Sequence, residues 1–222
     1  MAAGIDTPMH TLITAGPTRE PLDAVRYLGN RSSGRMGVAL AEAAVAMGRH
    51  ATLLLGPVPH APAAHPLLEV VRFETTAQLQ ALLHQHLPGA RLLLMAAAVA
   101  DFIPEPLADG DAKCSRHEGP VGLSLHPAPD LLQTCAASAS DEQTCIGFAL
   151  EPADELLERA GAKLQRKGID GIVANALCTM DAQTISGTLL LADGRTCTAP
   201  TDMAKADFAT WLLNTLRTEL GV

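Results

Sequence analysis

Residues Thr14 to Gly37 read TAGPTREPLDAVRYLGNRSSGRMG. They begin at the end of an apolar run, Thr11-Leu12-Ile13-Thr14-Ala15, and stop at an alanine-rich one, Val38 to Met47. The first run has the length and unbroken apolar character of a buried strand, and the second has the composition of a helix closed by Gly48. Between them Ser32-Ser33-Gly34 and Met36-Gly37 place small side chains and unpaired backbone N–H groups at a helix N-terminus, where the helix dipole also favours negative charge. With Arg19, Arg26, Arg31, Arg35 and the amide of Asn30 in the same stretch, the segment reads as a site for a phosphate or carboxylate.

Two common phosphate-binding signatures are absent. Gly16 is followed by Pro17, and the next glycine is Gly29, so the dinucleotide pattern G-x-G-x-x-G is missing. Gly29 and Gly34 have the spacing of a Walker A loop but are followed by Arg35-Met36 where that loop needs Lys-Ser or Lys-Thr.

Outward from this stretch the chain alternates. Strands are expected at Ala51 to Leu55, Val70 to Phe73, Arg91 to Ala97, Val121 to Leu125, Thr144 to Leu150 and Asp170 to Asn175, with the run from Arg91 central and buried on both faces. Helices are expected from Thr75 to His86, from Pro129, and from Ala153 to Lys167. This alternation implies an α/β, Rossmann-like, mostly parallel sheet with helices on both faces. Asp193-Gly194, between Thr188 to Leu191 and Thr196 to Thr198, signals an antiparallel hairpin near the C-terminus. A last helix, Asp202 to Leu216, carries Trp211 as an expected core anchor. Asp101 to Pro120 is polar and without period, as binding loops often are.

The 222 residues, 48% hydrophobic and 18% charged, suit one domain over 1–222. No run reaches the roughly 20 apolar residues of a membrane span, and no charged-then-apolar leader precedes residue 11, so a cytoplasmic protein is expected. The five cysteines form no C-x-x-C pair and read as apolar fillers in a reducing compartment, and the histidines do not gather at ligand spacings, so no structural metal is expected. A net charge of −8 argues against a nucleic-acid partner. A phosphate ligand must then be met by local cations, which makes the positions of the four lysines informative. Lys163 and Lys167 fall one helical turn apart, and Lys113 falls in the polar loop.

In open α/β sheets ligands bind beyond the carboxyl ends of the strands. Gly16, the turn from Ala97 to Asp101, Phe148 to Glu151 and Asn175 all fall there, so the segments that look chemical converge on one rim.

The Thr14 to Gly37 segment resembles the hallmark of the phosphopantothenate cysteine ligase family of coenzyme A biosynthesis, TAG-x-T-x-E-x-L-D-x-V-R-x-x-x-N-x-S-S-G-x-x-G. Further stretches agree in order: AAAVADF (Ala96 to Phe102), PAPDLL (Pro127 to Leu132), GFALE (Gly147 to Glu151) and KLQRKGIDGIVAN (Lys163 to Asn175). The resemblance implies a two-step ligation. The carboxylate of phosphopantothenate attacks the α-phosphate of a nucleoside triphosphate, giving an acyl-nucleotide and pyrophosphate, and the amine of L-cysteine then displaces the nucleotide. PAPDLL and KLQRK look bacterial, which implies CTP rather than ATP, with Mg2+ shielding the triphosphate. The family also implies a homodimer. With the first strand near residue 11 there is no room for a preceding flavin-dependent domain, so a separate decarboxylase is expected.

The resemblance gives each candidate a role. Asn30 matches the family asparagine that handles the acyl-nucleotide, and Asn30→Asp is expected to spare pyrophosphate release while blocking amide formation. Lys163 and Lys167 match the lysines that contact the nucleotide, while Gly16, Ala97, Asp101, Pro129, Asp130, Leu131, Leu132 and Phe148 match positions around its pocket. Phe148 is read equally well as core packing. Arg31, Ser33, Gly34 and Arg35 are expected to hold the phosphate of phosphopantothenate. The family's K-x-K-K element is represented only by DGDAKCSR, so the phosphate-side cation is either Lys113 or, if the alignment slips by two residues, a position occupied by Asp111. That thinned element leaves a rival open, a nucleotide-binding protein that has lost turnover. The missing glycine pattern and the absence of a Tyr-x-x-x-Lys pair argue against a short-chain oxidoreductase.

Overall fold

The computed structural model describes residues 9–107, 112–115, 117, 119–177 and 182–222. Its first strand, β1 (His10–Ala15), is the expected apolar run. A small hairpin follows, β2 (Arg19–Pro21) with β3 (Tyr27–Gly29), and then α1 (Arg35–Ala46). The stretch expected to be one loop therefore contains a ribbon of its own. The helix also starts three residues earlier than its alanine-rich run, because Gly34 takes the left-handed conformation (φ 72°) and turns the chain into it.

The alternation continues through β4 (His50–Leu55), β5 (Leu68–Arg72), α2 (Thr76–His86) and β6 (Leu92–Met95). It resumes with α3 (after β7, Phe102–Pro104, and β8, Leu125–Pro127) at Leu131–Ser138, β9 (Thr144–Glu151), α4 (Leu156–Lys167) and β10 (Gly171–Ala176). The chain closes with β11 (Thr184–Ile185), β12 (Gly187–Leu191), β13 (Thr196–Thr198), β14 (Met203–Ala204) and α5 (Lys205–Leu220). One eight-stranded sheet has the order β13-β12-β10-β9-β6-β1-β4-β5. From β5 to β10 neighbouring strands are parallel, and β12 and β13 add the expected antiparallel hairpin. In chain order the six parallel strands run 3-2-1-4-5-6, the doubly wound arrangement, whose direction reverses between β1 and β6.

Alternate residues of each strand feed opposite cores. Ile13 and Leu53 pack under α1 and α5, whereas Leu12, Leu54 and Leu93 pack under α2, α3 and α4. Gly37 lets α1 approach β1, since a Cβ there would lie 2.4 Å from the Cβ of Ala15. Beyond the C-terminal ends of α1 and α5, Arg49 Nη2 donates to the Val222 carbonyl at 3.0 Å, so the two helices run alongside in one direction and aim their N-termini at the same rim.

Other expectations are corrected. Val121 to Leu125 is not a sheet strand: its side chains are exposed, and only Leu125–Pro127 pairs, with Phe102–Pro104, in a separate two-stranded ribbon. The helix expected from Pro129 begins at Leu131, because Asp130 is its N-cap and accepts from the Gln133 amide. Trp211 is only half-buried, leaning on Phe208 with ring centroids 5.2 Å apart, and Phe208 is the fully buried anchor. Among the described residues no helix is long and apolar enough to cross a membrane.

Candidate functional site

The carboxyl ends of β1 and β6 are tied together by the two motifs quoted first. Thr14 Oγ1 accepts from the Ala97 amide at 3.0 Å, and the Gly16 carbonyl accepts from Ala98 N at 2.9 Å. Thr18 N donates to the Ala98 carbonyl, and Thr18 Oγ1 accepts from Ala100 N at 2.9 Å. Asn30 Nδ2 completes the seam by donating to the carbonyls of Ala98 (3.1 Å) and Val99 (3.0 Å). These bonds hold two loops side by side at the topological switch point, where a crevice is expected.

The crevice is a cavity of about 890 Å³. It is lined by Asn30, Arg31, Ser33, Gly34 and Arg35 on one side, by Ala97 and Asp101 from the turn after β6, by Pro129, Asp130, Leu131 and Leu132 at the start of α3, and by Phe148, Lys163 and Lys167. All of these had been singled out from the sequence. Phe148 lines the cavity while half-buried against the core under α1.

Gly16 and Lys113 are not in the wall. Gly16, at φ 82°, makes the turn behind it. Lys113 is exposed on a segment fixed from below: Ala24 N donates to the Ala112 carbonyl, Cys114 N to Asp23 Oδ2, and Arg26 Nη2 to the Cys114 carbonyl at 2.7 Å. Asp111 and Arg116 lie outside the described residues. Asp23 also accepts from Arg26 Nε at 2.9 Å and from the amides of Val25 and Arg26. Arg26, followed by the Val25 amide, holds its carboxyl well below the usual carboxylate range. Arg26 thus serves a loop clamp. Arg19 lies over the ring of Tyr27, 4.4 Å from its centroid, and reaches the Pro57 carbonyl, so of the four arginines only Arg31 and Arg35 line the cavity.

The opposite wall is built from charged side chains. Lys167 Nζ lies 2.6 Å from both carboxylate oxygens of Asp130. Burial pushes that carboxyl up, but the hydrogen bonds from Lys167 and Gln133 outweigh it and hold it below its ordinary value. Lys163 is ion-paired with Glu151, which is 5% exposed at the end of β9. Each of the two lysines expected to contact the nucleotide therefore already has a carboxylate partner. Among the cavity carboxylates, Asp101 makes no side-chain hydrogen bond or ion pair with the described residues.

Sequence reasoning missed Arg166 and Lys205, which also line the cavity. Lys205 could have been suspected as a lone cation opening a helix. Burial pushes the thiols of Cys135 and Cys145 up, to about 11 and about 12, as suits apolar fillers, and Cys178 lies outside the described residues.

Comparison with known proteins follows the same lines. The family model of the DNA/pantothenate metabolism flavoprotein C-terminal domain matches residues 7–220. A cysteine/cysteine sulfinic acid decarboxylase from an unknown prokaryotic organism is 41% identical over 165 residues, covering 74% of this chain and 45% of that protein. The coenzyme A biosynthesis bifunctional protein CoaBC of Mycolicibacterium smegmatis is 38% identical over 196 residues, covering 82% of this chain and 46% of that protein. The chain spans about half the length of these relatives. The crystal structure of the C-terminal domain of a CoaBC protein superposes with a TM-score of 0.79 at 30% identity, over 96% of both chains. The DNA/pantothenate metabolism flavoprotein from Streptococcus pneumoniae has the same fold, with a TM-score of 0.80 at 22% identity over 95% of this chain and 99% of that one. By sequence match and by fold, this chain belongs to the DNA/pantothenate metabolism flavoprotein C-terminal domain family, homologous to the C-terminal domain of CoaBC.

Proposed function

We propose that this chain is a ligase joining phosphopantothenate to L-cysteine in coenzyme A biosynthesis, with CTP consumed and CMP and pyrophosphate released. The observation that carries the reading is one cavity, at the switch point of the sheet, with an amide-rich loop at one wall and a lysine pair at the other. Its volume suits two small ligands side by side. The relatives named for coenzyme A biosynthesis support the pathway.

In this reading Arg31, Arg35, Ser33 and the Gly34 amide take the phosphate of phosphopantothenate, bringing its carboxylate to the seam between the loops. Lys163 and Lys167 take the triphosphate, with Phe148 and the turn at Ala97 against the nucleoside. The carboxylate oxygen attacks the α-phosphorus, the bond to the β-phosphate oxygen breaks, and pyrophosphate leaves. The cysteine amine then attacks the acyl carbon and CMP departs with the bonding electrons. Asn30, a neutral amide already donating to two carbonyls, can exchange one of them for an oxygen of the acyl-nucleotide that gains charge, without trapping an anionic product. Magnesium would come with the triphosphate and would shield its charge, and Asp101, which makes no side-chain bond with the described residues, is the cavity carboxylate that would meet it.

The test is pyrophosphate release by the purified protein with phosphopantothenate and magnesium, comparing CTP with ATP, with and without cysteine. Release that requires phosphopantothenate and prefers CTP, followed by cysteine-dependent turnover, is expected. The exposed position of Lys113, off the cavity wall, favours a second reading, a nucleotide binder without turnover. Binding of CTP by folded protein with no pyrophosphate released would select it.

A further inference from the structure

We infer that Glu151 is the positioning residue that presents Lys163 to the phosphates of the bound nucleotide, an inference that rests on reading the cavity as a nucleotide site. Glu151 ends β9, one residue after Leu150, which lines the cavity. Its own side chain is 7% exposed and is not part of the cavity wall, whereas Lys163, which it pairs with, is. The carboxylate therefore stands behind the lysine and the cavity stands in front of it.

The surroundings explain why such a support is needed. Glu155, the N-cap of α4, is followed at intervals of four by Arg159, Lys163 and Lys167 along the helix. Three of them in a row are cations. Glu155 pairs with Arg159, Asp130 pairs with Lys167, and Glu151 lies between Arg159 and Lys163, ion-paired with Lys163 and 3.9 Å from Arg159 Nη1. Without the negative charge at 151, Arg159 and Lys163 repel, and the long, freely rotating lysine swings toward solvent.

The two lysine partners are not equivalent. Asp130 lines the cavity, so an incoming phosphate meets its charge and must displace it from Lys167. Glu151 is buried behind the wall and can keep Lys163 while a phosphate takes the ammonium's other donors, since an ammonium has three. Lys163 is a preset contact and Lys167 a contact made by exchange.

The experiment is a double-mutant cycle on the whole chain, with magnesium-CTP binding by titration calorimetry and cytidine binding by saturation-transfer NMR. Wild type, E151Q, K163M and the double variant are compared, with circular dichroism as the check of folding. E151Q is expected to weaken CTP about tenfold, to leave cytidine unchanged, and to have no further effect in the K163M background. Equal weakening of CTP and cytidine, or a full E151Q effect in the K163M background, overturns the proposal, because Glu151 would then act on the fold and not through Lys163. Should E151Q fail to fold, E151D keeps the buried charge, withdraws it by one methylene, and carries the same comparison. A wild-type protein that binds neither CTP nor cytidine overturns the nucleotide reading itself, a result distinct from any difference among variants.

Discussion

The two walls of the cavity are made in opposite ways. On the β1/β6 side many polar side chains are spent on the protein: Thr14, Thr18 and Asn30 bond the neighbouring loop, Glu20 accepts from the amide and hydroxyl of Thr76 at the start of α2, and Asp23 anchors Arg26. What remains for a ligand there is the backbone of the turn at Gly34 with Arg31, Ser33 and Arg35 beside it. On the β9/α4 side the backbone is already paired in strand and helix, and the side chains of Asp130, Lys163 and Lys167 meet the cavity. A hydrogen-bonded seam fails as a unit when one member is lost. Ion pairs near solvent give way in proportion to salt and pH.

The largest effect is expected at Asn30. Asn30→Asp replaces a donor to two carbonyls by an anion facing them, and overall ligation should fall about 10²–10³-fold, the usual loss of one positioned donor. Single-turnover assays should show pyrophosphate release less affected than amide formation. Equal loss of both would mean that Asn30 matters only as the seam between the loops. Gly37→Ala comes next, since its Cβ would sit 2.4 Å from that of Ala15 and 2.9 Å from the Thr14 carbonyl, neither of which can yield without shifting β1. Urea unfolding should register about 1–3 kcal/mol of lost stability. Unchanged stability would show that α1 can lift off the sheet freely.

Much of this molecule was legible in advance because its information is local. Apolar runs, shortest and broken by Arg72 at Val70 to Phe73, marked the six parallel strands, Asp193-Gly194 marked the hairpin, and the order of the strands then placed the motifs on one rim. The ribbons were missed because β2, β3, β7 and β8 are three residues each, too short for a period, and three of them, Arg19–Pro21, Phe102–Pro104 and Leu125–Pro127, end in proline. The division of labour inside the hallmark segment was also hidden. Arg26 looks like a phosphate ligand until Asp23 and Cys114 are seen around it, and Glu20 has no evident task until Thr76, 56 residues away, is brought alongside. Spacing placed the lysine pair on one helix face, and the resemblance gave it its role. Its neutralisation by Asp130 and Glu151 depends on contacts between separate elements, which no local pattern encodes.

The smallest effect belongs to Asp130, and it separates the two kinds of wall most directly. Its carboxyl has a folded-state value below the unfolded one, so the stability it contributes is present above about pH 4 and is lost as pH falls through the folded value. Asp130→Asn keeps a side-chain acceptor for the N-cap of α3 but removes the charge that holds Lys167. The variant should be less stable than wild type at pH 7 by no more than about 1 kcal/mol, because the pair is partly exposed, and the difference should shrink with added salt and vanish at low pH. Affinity for CTP should move the other way at pH 7 and low salt, since Lys167 no longer has to leave a carboxylate to meet a phosphate. A variant that lost stability and CTP affinity together would place Asp130 with the seam residues, as a fixed part of the site and not a partner that the nucleotide displaces.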